Sequence, residues 1–259
     1  MPGRTVTIEG IGFWASGLPS WQAACDLVAG GAPVAEAPRR PSPQLLAANE
    51  RRRAPETVAV ALDVALAACK AAGRDPASLP SVFASTHGDL GITDYMCSTL
   101  ASEPHSISPT KFHNSVHNAA AGYWTIGSGC MHASTAISAY DASFAQGLVE
   151  ALAQLAEGAA AVLLAGYDGA SAGPLAAVSA STGLLGGALV LSRGDGPLRL
   201  RATLGEGTPP PADGPLSRHA AGNAMAPMLP LFEALASDRD VALLDAGPGR
   251  VLRVEIAHG

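Results

Sequence analysis

The chain has 259 residues, 48% hydrophobic and 15% charged, with a formal charge of −6. That much apolar chain can bury a sizeable core, which excludes a disordered protein, and its 29 Gly and 20 Pro follow no period, which excludes a collagen-like one. The sixteen Lys and Arg form no basic stripe, so no nucleic-acid surface is expected, and no aliphatic run is long enough to span a bilayer.

In chain order, Thr5–Ile11 reads as a strand and Pro19–Val28 as a short helix opened by Ser16 or Pro19. A Pro/Ala loop, Pro33–Pro43, ends near Arg39-Arg40. A helical stretch from Gln44 to Ala72 follows, interrupted near Pro55, with Val58, Ala61, Leu62, Val64, Ala65 and Ala68 on one apolar face. The Arg51-Arg52-Arg53 run before Pro55 suits either a solvated helix end or a dock for an acidic partner. Ser81–Ser85 reads as a strand, Thr93–Leu100 as a helix, and Pro104–His117 as a polar, His-rich loop. Then come a small-residue helix (Asn118–Ile126), a strand (Met131–Ser138), an amphipathic helix (Ala142–Glu157) and a buried strand (Ala160–Tyr167). Gly187–Ser192 and Leu198–Leu204 are expected to pair as a hairpin around Gly194-Asp195-Gly196. Helix Ala224–Ala236 and a second hairpin, Val241–Asp245 with Arg250–Ile256, complete the chain. This order predicts an α/β fold, a mixed sheet with helices on both faces.

The four cysteines, Cys25, Cys69, Cys97 and Cys130, contain no CxxC pair, which argues against structural zinc and against a disulfide framework. Met1–Arg4 shows no apolar signal core, so a reducing, cytoplasmic setting is expected.

The densest information lies between Ser81 and Gly169. Three segments stand out: Ser85-Thr-His-Gly-Asp-Leu-Gly91, Pro109-Thr-Lys-Phe-His-Asn-Ser-Val-His-Asn118 running into Ala119–Gly122, and Ser138-Ala-Tyr-Asp-Ala-Ser143. After a helix comes Ala161-Val-Leu-Leu-Ala-Gly-Tyr-Asp-Gly169. Together these resemble the N-terminal half of a β-ketoacyl synthase, a thiolase-fold condensing enzyme, over about residues 5–205. The resemblance implies a thiolase-like fold, truncated relative to a full ketosynthase. It implies one domain over 1–259, with residues 206–259 as a short closing helix and hairpin.

Aligned without a gap, the family's catalytic cysteine falls on Asp141. A ketosynthase needs a thiolate to accept the acyl group, whereas a carboxylate would give a mixed anhydride and repel a malonyl group. No catalytic residue is therefore expected, and Asp141 is read as an N-cap of the helix that follows. The family's first histidine segment is missing, and His219 is the one candidate remnant of the second. The chain is thus similar to chain length factors, in particular to the short ketosynthase-like subunits of aryl polyene and related pigment pathways. That likeness implies a heterodimer with a full-length ketosynthase, and service to an acyl carrier protein directly or through that partner. It implies no cofactor and no metal; His113 and His117, with His105 and His132 nearby, have no acidic partner in their loop.

The pocket and interface residues implied are Phe112, His113, Asn114, His117, Asn118, Tyr123, Trp124, Ser134, Ala136, Ser138 and Tyr140. For Phe112, Tyr123, Trp124 and Tyr140, acyl-pocket wall and plain core packing stay open as alternatives. Two rival functions are defined by the sequence. One is a condensing or decarboxylating homologue that uses Asp141. The other is a serine hydrolase with an elbow at Gly169-Ala-Ser-Ala-Gly173, whose nucleophile would be Ser171.

Overall fold

The structure, a computed structural model, describes residues 5–259. Residues 1–4, read above for a signal core, lie outside the described residues.

Strand β1 (Val6–Ala15) leads into helix α1 (Trp21–Val28). The cap is Ser20, whose hydroxyl accepts the Ala23 N–H, so neither Ser16 nor Pro19 opens this helix. The predicted break at Pro55 divides α2 (Ala48–Arg53) from α3 (Glu56–Ala72), and α3 ends on Gly73 at φ 64°, a left-handed cap that glycine adopts without strain. Strand β2 (Ser81–Ala84) and α4 (Leu90–Ser102) follow. The supposed loop 104–117 contains a short helix, α5 (Pro109–Asn114), which Ser108 caps by accepting the Lys111 N–H. Then come α6 (Ala119–Ser128), β3 (Ser134–Ile137), α7 (Ser143–Glu157) and β4 (Ala161–Asp168). The remainder is β5 (Leu185–Ser192), β6 (Leu198–Glu206), α8 (Pro215–His219), α9 (Leu229–Ala236), β7 (Val241–Asp245) and β8 (Arg250–His258). Helix α9 starts five residues after the predicted Ala224, because Pro227 and Pro230 hold residues 226–228 as a single 3-10 turn.

The eight strands form one sheet in the order β3-β2-β4-β5-β1-β6-β8-β7. Strand β2 is parallel to both β3 and β4, and the remaining pairs are antiparallel. The predicted β5–β6 hairpin does not form, because β1 lies between them. The Thr7 hydroxyl donates to Gly194 O at 2.5 Å, which seats β1 in the mouth of the turn that would have closed the hairpin.

Period-two alternation sorts the core onto two faces. On β1, Phe13 joins Phe144, Leu148, Phe232 and Leu235 under α7 and α9, while Trp14 joins Val64, Ala68 and Trp124 under α3 and α6. All eight residues of β4 and all eight of β5 are buried, as strands covered on both faces must be. Helices thus cover both faces of a mixed sheet, with β3 at one end of it.

Candidate functional site

The sharp turn between β3 and α7 carries residue 141. Here the Ser143 hydroxyl accepts the Ala139 N–H at 2.9 Å and donates to Tyr140 O at 2.6 Å, so a serine stitches the turn. Asp141 accepts no backbone N–H at the start of α7 and stands exposed, which corrects its reading as an N-cap. The residue before it, Tyr140, has φ 50° although it carries a side chain and is 78% exposed. A left-handed backbone at such a residue costs on the order of 1 kcal/mol. Tyr140→Asn, which tolerates this conformation, is expected to raise the unfolding free energy measured in urea, and the β-branched Tyr140→Val to lower it, each by about 0.5–1 kcal/mol.

Behind this turn lies a buried carboxylate. Asp168, at the end of β4, is fully buried and accepts from the Ser85 hydroxyl at 2.6 Å, Thr86 N at 2.9 Å and His87 N at 3.3 Å. Burial pushes its carboxyl above the ordinary aspartate value, against the opposing pull of the Ser85 and Thr86 hydrogen bonds. The Ser85 hydroxyl accepts the Gly88 N–H, and the His117 ring bonds Ser85 O at 2.8 Å. The Asn223 amide donates to Asp168 O and Thr182 O, and the Ser138 hydroxyl donates to Thr86 O. One network thereby ties the loops after β2, β3 and β4 to the segment at 223.

That segment and the β3–α7 turn enclose a cavity of about 430 Å³. Asp141 and Asp245 line it together with Ser217, Asn223, Pro209 and Pro210. Of residues 206–245 only acid and histidine candidates were singled out from the sequence, His219 chief among them, and none as lining a cavity with Asp141. The signal lay in Asp245-Ala-Gly247, a carboxylate whose oxygen accepts the N–H two residues on. Asp168 was also passed over, although an acidic residue ending an otherwise apolar strand is a sequence-level flag.

The expected pocket and interface residues divide into two groups. Trp124 is fully buried, 6.1 Å from the Phe83 ring in the core, and Asn114 is 3% exposed. Phe112 is 62% exposed, Asn118 is exposed, and His113 stands edge-on to half-buried Tyr123 at 5.7 Å. In the end strand β3, Ser134 and Ala136 are exposed, and Ser138 just beyond it is too. Tyr140, Met131 and Ile126 add exposed apolar surface beside it, with Met131 95% exposed. None of the expected residues except Asp141 lines the 430 Å³ cavity. His219 does not reach it either; its ring bonds Ser16 O at 2.7 Å.

Ser171 sits in irregular chain rather than on a strand-to-helix turn, and its hydroxyl exchanges hydrogen bonds with the backbone of Ser181. Among the described residues, no three His, Cys, Asp or Glu side chains are placed to hold a metal ion. No helix there is long and apolar enough to cross a membrane.

Comparisons with known proteins place this geometry. The family model of the β-ketoacyl synthase N-terminal domain matches residues 21–240. A search of curated proteins found no match. Among solved structures, a chain from the ketosynthase ApeO in complex with its chain length factor ApeC, from Xenorhabdus doucetiae, is similar at TM-score 0.77 and 24% identity. The match covers 97% of this chain and 99% of that one. The ishigamide ketosynthase/chain length factor gives 0.73 and 14%, over 98% of this chain and 99% of that one. A β-ketoacyl synthase from Burkholderia phymatum STM815 gives 0.62 and 13%, over 93% of this chain and 71% of that one. At these identities the structural likeness establishes a shared fold.

Proposed function

The chain belongs to the β-ketoacyl synthase N-terminal domain family, and from that membership we propose that it is a non-catalytic, chain-length-factor-like subunit. Its partner would be an active β-ketoacyl synthase whose acyl pocket it helps to shape, in a fatty-acid or aryl-polyene type of biosynthesis in the cytoplasm. The observation that carries this reading is the chemistry at residue 141. At the turn onto which the ungapped alignment puts the family's thiol stands an exposed aspartate, and the one candidate histidine is bonded elsewhere, to Ser16. A carboxylate has no sulfur with which to hold an acyl group as a thioester.

The surface supports an interaction role. Strand β3 ends the sheet, and an end strand with unpaired backbone groups is a template for pairing with another chain. Its neighbours Ile126, Met131 and Tyr140 are 73%, 95% and 78% exposed, unusual for large apolar side chains that cover nothing. The small outward side chains Ser134 and Ala136 would let a second strand approach closely.

Co-expression with a full-length β-ketoacyl synthase tests the proposal. The two chains are expected to copurify, and the purified chain alone to release no carbon dioxide from malonyl-loaded carrier protein. Met131→Asp and Ala136→Arg place a charge on the proposed contact and are expected to weaken pairing at least about tenfold, about 1.4 kcal/mol, while leaving this chain folded. Decarboxylation by the chain alone, or pairing untouched by both substitutions, would contradict the reading.

A further inference from the structure

The connection between β4 and β5 is a surface loop without charge. From Gly169 to Ser192 the chain has no Asp, Glu, Lys, Arg or His, although its first sixteen residues lie outside both strands. Surface loops are ordinarily polar. Here Gly173, Pro174, Leu175, Ala177, Val178 and Ala180 are all exposed, Leu175 at 41% and Val178 at 82%. Contiguous exposed apolar side chains of this kind mark a contact surface.

Hydrogen bonds hold this loop in one shape. At its neck Ser171 N donates to Ser181 O at 2.8 Å, and Ser181 N donates to the Ser171 hydroxyl at 2.9 Å. The Ser181 hydroxyl donates to Gly169 O at 2.7 Å and accepts the Ala224 N–H at 3.0 Å. At the tip Ser179 N donates to Leu175 O at 2.9 Å. Gly173, at φ 62°, packs against α4, where a side chain would run into the Asp94 carboxylate. Residues 171–181 are thus an Ω-loop, with joined ends and a tip fixed in advance, which loses little entropy on binding.

The place of the loop selects its partner. The Thr86 hydroxyl reaches Tyr140 O at 3.4 Å, and the ring of the next residue, His87, meets the Ser179 hydroxyl at 3.3 Å. Ala180 of the loop and Asp141 of the β3–α7 turn line the same cavity. The tip therefore adjoins Tyr140, at the end of the β3 face proposed above for pairing. Its lack of charge suits the middle of a protein interface, where charged side chains are depleted.

We infer that the loop tip, residues 173–180, is a second contact element for the ketosynthase partner, with Val178 as its anchor and Leu175 beside it. It extends the β3 face past Tyr140 to the loop after β4. The inference rests on the pairing reading and adds to it an element that no edge strand supplies.

Titration of the full chain with a full-length β-ketoacyl synthase tests it. Val178→Asp is expected to weaken pairing at least about tenfold and Leu175→Asp by a smaller factor. Both side chains are exposed, so both variants should melt like the parent. Amide exchange at Ala176 and Val178 should slow when the synthase is added. Ser171→Ala, which loosens the neck and leaves the tip chemistry intact, should weaken pairing less than Val178→Asp. Unchanged affinity in folded Val178→Asp and Leu175→Asp, with Met131→Asp still weakening it, would overturn the inference and leave the pairing reading standing. Absence of pairing by the parent chain would overturn both. A dimer of this chain that Val178→Asp dissociates, with affinity for the synthase unmoved, would assign the tip to a second copy and overturn the inference too.

Discussion

Gly12→Val is expected to abolish folding of the chain. Helix α3 lies across β1 at Gly10 and Gly12, so close that a Cβ on Gly12 would stand 2.9 Å from Val64 C and 3.0 Å from Ala68 N, with the Val64 carbonyl oxygen nearer still. At Gly10 the same atom would stand 2.6 Å from Ala72 N. These neighbours are helix backbone, which cannot swing aside as a side chain can. The helix would have to lift off the sheet, opening the face that holds Val60, Val64, Ala68 and Cys69. Overpacking of a relaxed site costs about 1–3 kcal/mol, and here the obstacle is rigid, so Gly12→Ala should cost at least about 3 kcal/mol. Gly12→Val should exceed the whole stability of a typical domain's lower range, about 5 kcal/mol, and yield insoluble protein. Gly122→Ala, with nothing within 4 Å of the added atom and an ordinary helical position in α6, should instead stabilise by about 0.5–1 kcal/mol. Urea unfolding of Gly12→Ala and Gly122→Ala measures both; a Gly12→Ala midpoint equal to that of the parent would refute the close-approach account.

The glycines of β1 were visible in the sequence, but their purpose was not, because it depends on a helix that begins more than forty residues later. What could be read locally was read: the break at Pro55, the apolar face of α3, the buried run of β4, and the β7–β8 hairpin around Gly247-Pro248-Gly249. What failed was sheet order. Gly194-Asp195-Gly196 is good hairpin chemistry, and only a strand from the far end of the chain, pairing in register from Thr7 with Ser192 and from Val6 with Leu200, displaces that hairpin. Local turn signals carry no information about such insertion.

The site was legible in the same uneven way. Residue 141 was singled out because the motif around it is contiguous, and a short 3-10 turn carries it. Its partners across the cavity come from residues 209–245, which no periodicity or spacing links to 141. Trp124 illustrates the converse. As a large aromatic near an expected wall it could face either way, and the small Ala119-Ala120-Ala121 face of α6 lets that helix sink onto α3, carrying the indole into the core.

Asp168→Ala should cost at least about 3 kcal/mol, since it strips several buried donors of their acceptor and each unsatisfied group costs about 1–3 kcal/mol. Three donors converge on that carboxylate, the Ser85 hydroxyl and the backbone N–H groups of Thr86 and His87. Asp168→Asn keeps the shape but turns an N–H₂ toward one of these donors, and should cost about 1–3 kcal/mol. The effect on acidity follows from the direction of the shift. Burial holds the native carboxyl above its ordinary value of 3.8, so the folded chain binds this proton more tightly than the unfolded one. The stability this group contributes is complete below the ordinary value and is lost as pH rises through the raised native value. The parent's lead over Asp168→Asn should therefore be widest in mild acid and narrow as pH rises, in urea titrations run across that interval. A lead that widens with pH would mean that the three donors outweigh burial and hold the carboxyl below its ordinary value. Because the same network fixes Ser85, Ser138 and Asn223 around the β3–α7 turn, Asp168→Ala should also loosen the turn, reporting as faster amide exchange at Ala139 and Ser143.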